Sequence, residues 1–191
     1  MATTINTIFN KTLFQRLLDS RKSNNTEVIY FNKTTTVNGE SNNKIFDVDD
    51  TIFYKPFEIE INYDITNQTQ SKNTIGFFCC RKENKDGVPT IHVFSVNKKL
   101  CIDMCNDGST QRKSDIFSLN DKGKINIQYN EGIIKIYYDD VFKINYDLSA
   151  YKINEGLSKK CSVGQSYSEL GGLMANGIKG TVNVKIKELK E

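Results

Sequence analysis

From residue 124 to 148, apolar and polar side chains alternate. Ile125, Ile127 and Tyr129, then Ile134, Ile136 and Tyr138, then Phe142, Ile144, Tyr146 and Leu148 fall on one face, as the two-residue side-chain period of a strand requires. The stretch predicts three antiparallel strands in a meander with one buried face. Register can be tested against the pattern, because a slip of one residue sends a strand's whole apolar set to the other face. A two-residue turn at Glu131-Gly132 sets Tyr129 opposite Ile134, Ile127 opposite Ile136 and Ile125 opposite Tyr138, which is self-consistent. A two-residue turn at Asp139-Asp140 would set Ile136 against Lys143 and Ile134 against Asn145. A three-residue connection, Asp139-Asp140-Val141, closed by a bulge, is therefore expected, with Tyr138 opposite Phe142, Ile136 opposite Ile144 and Ile134 opposite Tyr146.

The same period recurs elsewhere. Phe57, Ile59, Ile61, Tyr63 and Ile65 alternate with Glu58, Glu60, Asn62 and Asp64, and Val182, Val184 and Ile186 alternate with lysines in residues 180–189. These two long strands are expected to neighbour each other, placing Glu58 and Glu60 near Lys185 and Lys187. Further short strands are read at residues 27–31, 34–37, 44–46, 51–54, 74–80, 90–96, 100–104 and 116–119, with weaker ones at 162–167 and 173–175. A meander with one apolar face must pack on a second layer, so residues 27–191 predict an all-β, antiparallel sandwich.

The first twenty-two residues differ. Ile5, Ile8, Phe9, Leu13 and Leu17 recur at three- and four-residue intervals, so residues 4–20 predict one amphipathic α-helix, an N-terminal appendage. Such a stripe can cover its own sandwich or dock on a neighbouring subunit, making it a candidate oligomerisation element. Its polar face is too weakly basic to favour a membrane surface.

Composition narrows the picture. A chain of 191 residues can bury a core without disulfides or metal. The net charge of +3 comes from 26 basic residues scattered among 23 acidic ones, with no stripe to track a phosphate backbone, so nucleic acid is not an expected partner. No run reaches the ~18 apolar residues a spanning helix needs, and no secretory signal is read at the start. A cytoplasmic location, or export without a signal peptide, is the expectation. Five cysteines with irregular spacing are read as reduced thiols rather than as a structural zinc site.

The order of strands, with the hairpin IKIYYDDVF, the glycine-containing return VGQSYSELGG and a closing GTVNVKI strand, resembles the concanavalin A-like jelly-roll superfamily of laminin G-like modules, legume lectins, galectins and related glucanases. The resemblance covers roughly residues 51–189 and implies a carbohydrate-binding sandwich. Galectin-type sites use a His-x-Asn-x-Arg strand and a stacking Trp, whereas this chain has His92-Val93-Phe94-Ser95-Val96 and no Trp. Glucanase-type sites use Glu-x-Asp-x-x-Glu, and Glu58-Ile59-Glu60-Ile61-Asn62-Tyr63 lacks the third carboxylate. An enzyme is accordingly not expected. Calcium-binding relatives use loop Asp and Asn oxygens, which points to Asp47, Asp49 and Asp50 in one loop and Asp139 and Asp140 in another as possible calcium ligands. Tyr54, Tyr137, Tyr151 and Tyr167, with faces that can stack on a sugar ring, and His92, the single histidine, complete the candidate ligand-binding set. The expectation is a lectin-like module that recognises glycans as a homo-oligomer. The alternative is a self-assembling structural protein of coat, inclusion or matrix type, in which the N-terminal helix makes the subunit contacts.

Overall fold

A computed structural model describes residues 27–38, 45–68, 74–81, 90–106, 109–149, 157–165 and 178–189. The expected helix with Ile5, Ile8, Phe9, Leu13 and Leu17, and the expected strand at 173–175, lie outside the described residues. Within them the chain forms twelve strands: β1 (Ile29–Asn38), β2 (Ile45–Asp47), β3 (Phe57–Gln68), β4 (Thr74–Arg81), β5 (Thr90–Val96), β6 (Lys99–Asn106), β7 (Ser109–Lys113), β8 (Lys122–Asn130), β9 (Ile133–Tyr138), β10 (Val141–Asp147), β11 (Lys160–Val163) and β12 (Ile178–Glu188). They make two six-stranded antiparallel sheets, one ordered β1-β12-β3-β8-β9-β10 and the other β2-β11-β4-β5-β6-β7. The described residues thus form an all-β sandwich.

The core is the inward half of each alternating strand. Ile59, Ile61, Ile125, Ile127, Ile136, Val182, Val184 and Ile186 from the first sheet meet Phe78, Cys80, Ile91, Val93, Leu100 and Cys161 from the second, all fully buried. β3 and β12 pair as expected, with Glu58 opposite Lys187 and Glu60 opposite Lys185. The first meander turn also has the expected register, with Tyr129 opposite Ile134, Ile127 opposite Ile136 and Ile125 opposite Tyr138. Its two turn residues, Glu131 (φ 47°) and Gly132 (φ 85°), take the left-handed conformation that matches the twist of a two-residue hairpin. Gly132 is required there, because a Cβ would collide with the backbone of Ser149.

Four expectations change. The second hairpin has a two-residue turn after all, Asp139 (φ 49°) and Asp140 (φ 62°), with Val141 opposite Tyr138 and Phe142 opposite Tyr137. The bulge sits one step later, at the register shift between Phe142 and Ile144, and restores Ile144 to Ile136 and Tyr146 to Ile134. Residues 51–54 are not a strand: Asp50–Tyr54 is a 3₁₀ turn whose start Asp49 caps, accepting from Thr51 N (3.1 Å) and Thr51 Oγ1 (2.6 Å). It buries the consecutive Ile52 and Phe53, which a strand would send to opposite faces. Residues 116–119 make only a single bridge, Ser118 to Lys99, and the strand next to β6 is instead the polar β7. Residues 27–31 and 34–37 belong to one region, where β1 runs unbroken past a bulge at Tyr30.

Candidate functional site

The site is assembled from the polar half of the alternation. Five strands of the first sheet, read across their partners, present rows of polar side chains on the outer face. One row runs Thr36, Thr181, Asp64 and Lys122; the next runs Thr34, Asn183, Asn62 and Lys124. A third runs Asn32, Lys185, Glu60, Asn126 and Tyr137, and a fourth Lys187, Glu58, Gln128 and Lys135. The first two rows enclose a pocket of about 520 Å³, lined by Thr34, Asn62, Asp64, Lys122, Lys124 and Asn183 together with Tyr63, Gly123, Asp139 and Thr181. A smaller hollow of about 280 Å³ lies towards the other end, between Gln128, Asn130, Glu131, Ile133, Lys135 and Leu189.

Hydrogen bonds fix these side chains before any ligand arrives. Asn183 Nδ2 donates to Thr34 Oγ1 (2.9 Å) and Asn32 Oδ1 (3.0 Å), and Asn62 Nδ2 donates to Glu60 Oε1 (3.0 Å). Lys122 Nζ lies 3.1 Å from Asp64 Oδ2. Lys124 Nζ lies 2.9 Å from Asp140 Oδ1 and 3.6 Å from Glu60 Oε2, while its backbone N–H donates to Asp139 Oδ1 (2.8 Å). The hydrogen bond to Asp140, then the Glu60 charge, outweigh desolvation and hold the Lys124 ammonium above its ordinary range.

Between the two hollows, Glu58 is only 5% exposed although it points to the outer face. It accepts from Gln128 Nε2 (2.9 Å) and Asn126 Nδ2 (3.3 Å) and pairs with Lys187 (3.1 Å), whose partner on the other side is Glu27 (2.9 Å). Burial disfavours the Lys187 charge, but the bonds to Glu27 and Glu58 outweigh it and raise its proton affinity. Asn126 Oδ1 is buried with no hydrogen-bond partner. Tyr137 and the half-exposed Phe142 meet edge to face, ring centroids 5.6 Å apart, at the margin of this surface.

Of the residues singled out from sequence, Tyr137 lies on this face and Asp139 lines its pocket. His92 lies on the outer face of the opposite sheet, in a cross-strand row with Cys79, Asp103 and Arg112. It stacks on Phe94 and its Nδ1 sits 3.8 Å from Asp103 Oδ2, which also takes two bonds from Arg112 at 2.7 and 2.9 Å. Tyr54 is exposed on the 3₁₀ turn, and Tyr151 and Tyr167 lie outside the described residues. Among the described residues, Tyr137, Tyr54 and His92 stand on separate elements, β9, the 3₁₀ turn and β5.

The two acidic loops stay on separate elements. Asp47 ends β2, Asp49 caps the 3₁₀ turn with Asp50 as its first residue, and Asp139 and Asp140 hold Lys124. Among the described residues no group of three or more His, Cys, Asp or Glu side chains is arranged to hold a metal ion. Cys79, Cys80, Cys101 and Cys161 are buried thiols, and burial pushes Cys161 up to about 12, which makes it a poor nucleophile and ligand. No described helix is long and apolar enough to cross a membrane.

The residues that build the pocket, Thr34, Asn62, Lys122, Lys124 and Asn183, are absent from the sequence-derived candidates. Their one signal is that each occupies the polar position of an alternating strand, a signal shared with every solvated sheet face.

No protein-family model matches the sequence, and no curated protein matches it. Solved structures do. A carbohydrate-binding module, CBM40, of the Ruminococcus gnavus IT-sialidase, solved with α2,3-sialyllactose bound, aligns at a TM-score of 0.60 with 13% identity, covering 85% of this chain and 95% of that one. A leech intramolecular trans-sialidase aligns at 0.60 with 13% identity over 87% of this chain, and the NanB sialidase of Streptococcus pneumoniae at 0.60 with 10% identity over 86%. This chain spans only 27% of either sialidase. At these identities the likeness establishes a shared sandwich fold.

Proposed function

We propose that this chain is a non-catalytic, lectin-like carbohydrate-binding module of concanavalin A-like type, and that the glycan lies on the outer face of the first sheet, in the pocket between β1, β12, β3 and β8. The observation that carries this reading is the lining itself. Two asparagines, two threonines, two lysines and two aspartates line a hollow of about 520 Å³. Sugar hydroxyls each donate and accept, and a pre-oriented set of amides and charged groups satisfies both roles without reorganisation. Modules of the same fold that bind sialyllactose give the reading a precedent.

The test is a glycan array with the full chain, followed by titration of the strongest hit against wild type, Asn62→Ala and Asn183→Ala. Each substitution removes a hydrogen-bonding group from the pocket on a solvent-facing position, so the expected result is a loss of roughly tenfold in affinity with the fold intact. Because Asp139 and Asp140 are engaged by Lys124, binding is expected to be unchanged by a calcium chelator. An array silent in every condition sinks the glycan reading.

A further inference from the structure

We infer that the pocket selects neutral, hydroxyl-rich sugars and discriminates against sugar acids, a ligand class opposite in charge character to the sialyllactose bound by the structurally similar CBM40 modules. The inference rests on the glycan reading of the same site and specifies its ligand. A carboxylate has no proton to donate and needs an ammonium or guanidinium with capacity to spare. In this pocket each ammonium already faces a carboxylate, so it keeps donors for a neutral hydroxyl but no unpaired charge for an anion. The arginines of the described residues, Arg81 and Arg112, lie on the opposite sheet. Both lysines of the lining already have carboxylate partners: Lys122 has Asp64 at 3.1 Å, and Lys124 has Asp140 at 2.9 Å and Glu60 at 3.6 Å.

What the lining offers instead is acceptors. Asp64 and Asp139 carry carboxylates, and Asn62 and Asn183 use their amide nitrogens on Glu60, Asn32 and Thr34, leaving carbonyl oxygens for a ligand. A polyol can give its hydroxyl protons to these oxygens and accept from the lysines. An anionic sugar would meet the same carboxylates as like charges, a repulsion that works against the wrong ligand.

The experiment compares lactose with α2,3-sialyllactose, and N-acetyllactosamine, mannotriose and cellotriose with uronic-acid oligosaccharides of equal length, by calorimetric titration of the full chain. The neutral member of a pair is expected to bind about tenfold or more tightly, the order of effect of one uncompensated like charge at close range. Tighter binding of the acidic members overturns the inference and leaves the glycan reading standing. No binding of either kind overturns the glycan reading, and this inference with it.

Asp64→Asn supplies a second arm by releasing Lys122 and removing one like charge. It should weaken neutral binding and raise the acidic-to-neutral affinity ratio by about tenfold. An unchanged ratio overturns the assignment of Asp64 as the discriminating group, and with it the inference. Should the variant bind too weakly to compare, Asp139→Asn carries the same comparison: a raised ratio supports the inference and an unchanged one overturns it.

Discussion

His92 shows how one buried side chain ties stability to pH. Burial lowers its proton affinity, Asp103 pulls the other way, and the charges of Arg81 and Arg112 add to the lowering. In the unfolded chain an imidazole titrates near pH ~6.5. Between that value and its lower folded value the unfolded state binds more protons, so stability is full above about pH 6.5 and declines as pH falls below it. Urea midpoints measured from pH 8 to 5 should stay level down to about pH 6.5 and then drop, and His92→Gln should flatten that drop. An equal drop in the variant sinks the assignment. Asp103 adds a loss at still lower pH: burial raises its pKa, but the bonds from His92 and Arg112 outweigh that and hold it below the usual carboxylate range. None of this is legible from the sequence, where His92 stands among apolar residues and its partners lie on the next two strands. The same limit hides the burial of Glu58. Its place on the polar side of β3 is plain from alternation, but the Asn126 and Gln128 amides that cover it lie 68 and 70 residues away.

At the scale of an element, the β9-β10 hairpin separates what pattern determines from what backbone chemistry determines. Alternation fixes Ile136 opposite Ile144 and Ile134 opposite Tyr146, because any other pairing would put polar side chains in the core. It does not say where the extra residue sits, since a longer loop and a tight turn followed by a bulge satisfy the same far register. The turn is tight because two aspartates accept positive φ and Asp139 takes the Lys124 N–H, so the bulge falls after Phe142 and that ring turns outward, 52% exposed. The consequence is measurable. Phe142→Ser should change stability by no more than about 0.5 kcal/mol in chemical denaturation. A loss of about 3 kcal/mol or more, as for an aromatic ring removed from a core, would mean the bulge lies inside the loop. β7 and the 3₁₀ turn escape pattern reading for related reasons: β7 is polar on both faces and is held by backbone bonds to β6, while the 3₁₀ turn buries two neighbours in sequence.

At the scale of the whole molecule, the two-layer architecture and the pairing of β3 with β12 follow from period alone, whereas the pocket follows from which polar residues four strands bring together. Two of those strands, β1 and β12, come from opposite ends of the described sequence. β12 lies between β1 and β3, so the interior of the first sheet is held by contacts of very long sequence separation: Tyr30 with Glu188 across 158 residues, Asn32 with Asn183 across 151. Such contacts are slow to form, because loop-closure entropy is lost before they contribute. The meander β8-β9-β10 is local and can assemble early, but β1 and β3 have no partner for their facing edges until β12 exists. A chain ending at residue 177 should therefore lack a cooperative unfolding transition and be rapidly proteolysed, and a sharp transition in that truncation would show that the sheet closes without β12. During synthesis, the ribosome has released nearly all of the sandwich before the strand that closes it emerges. Two long, apolar-faced edges then stand open at once, and in that interval the nascent chain is at its most prone to aggregation.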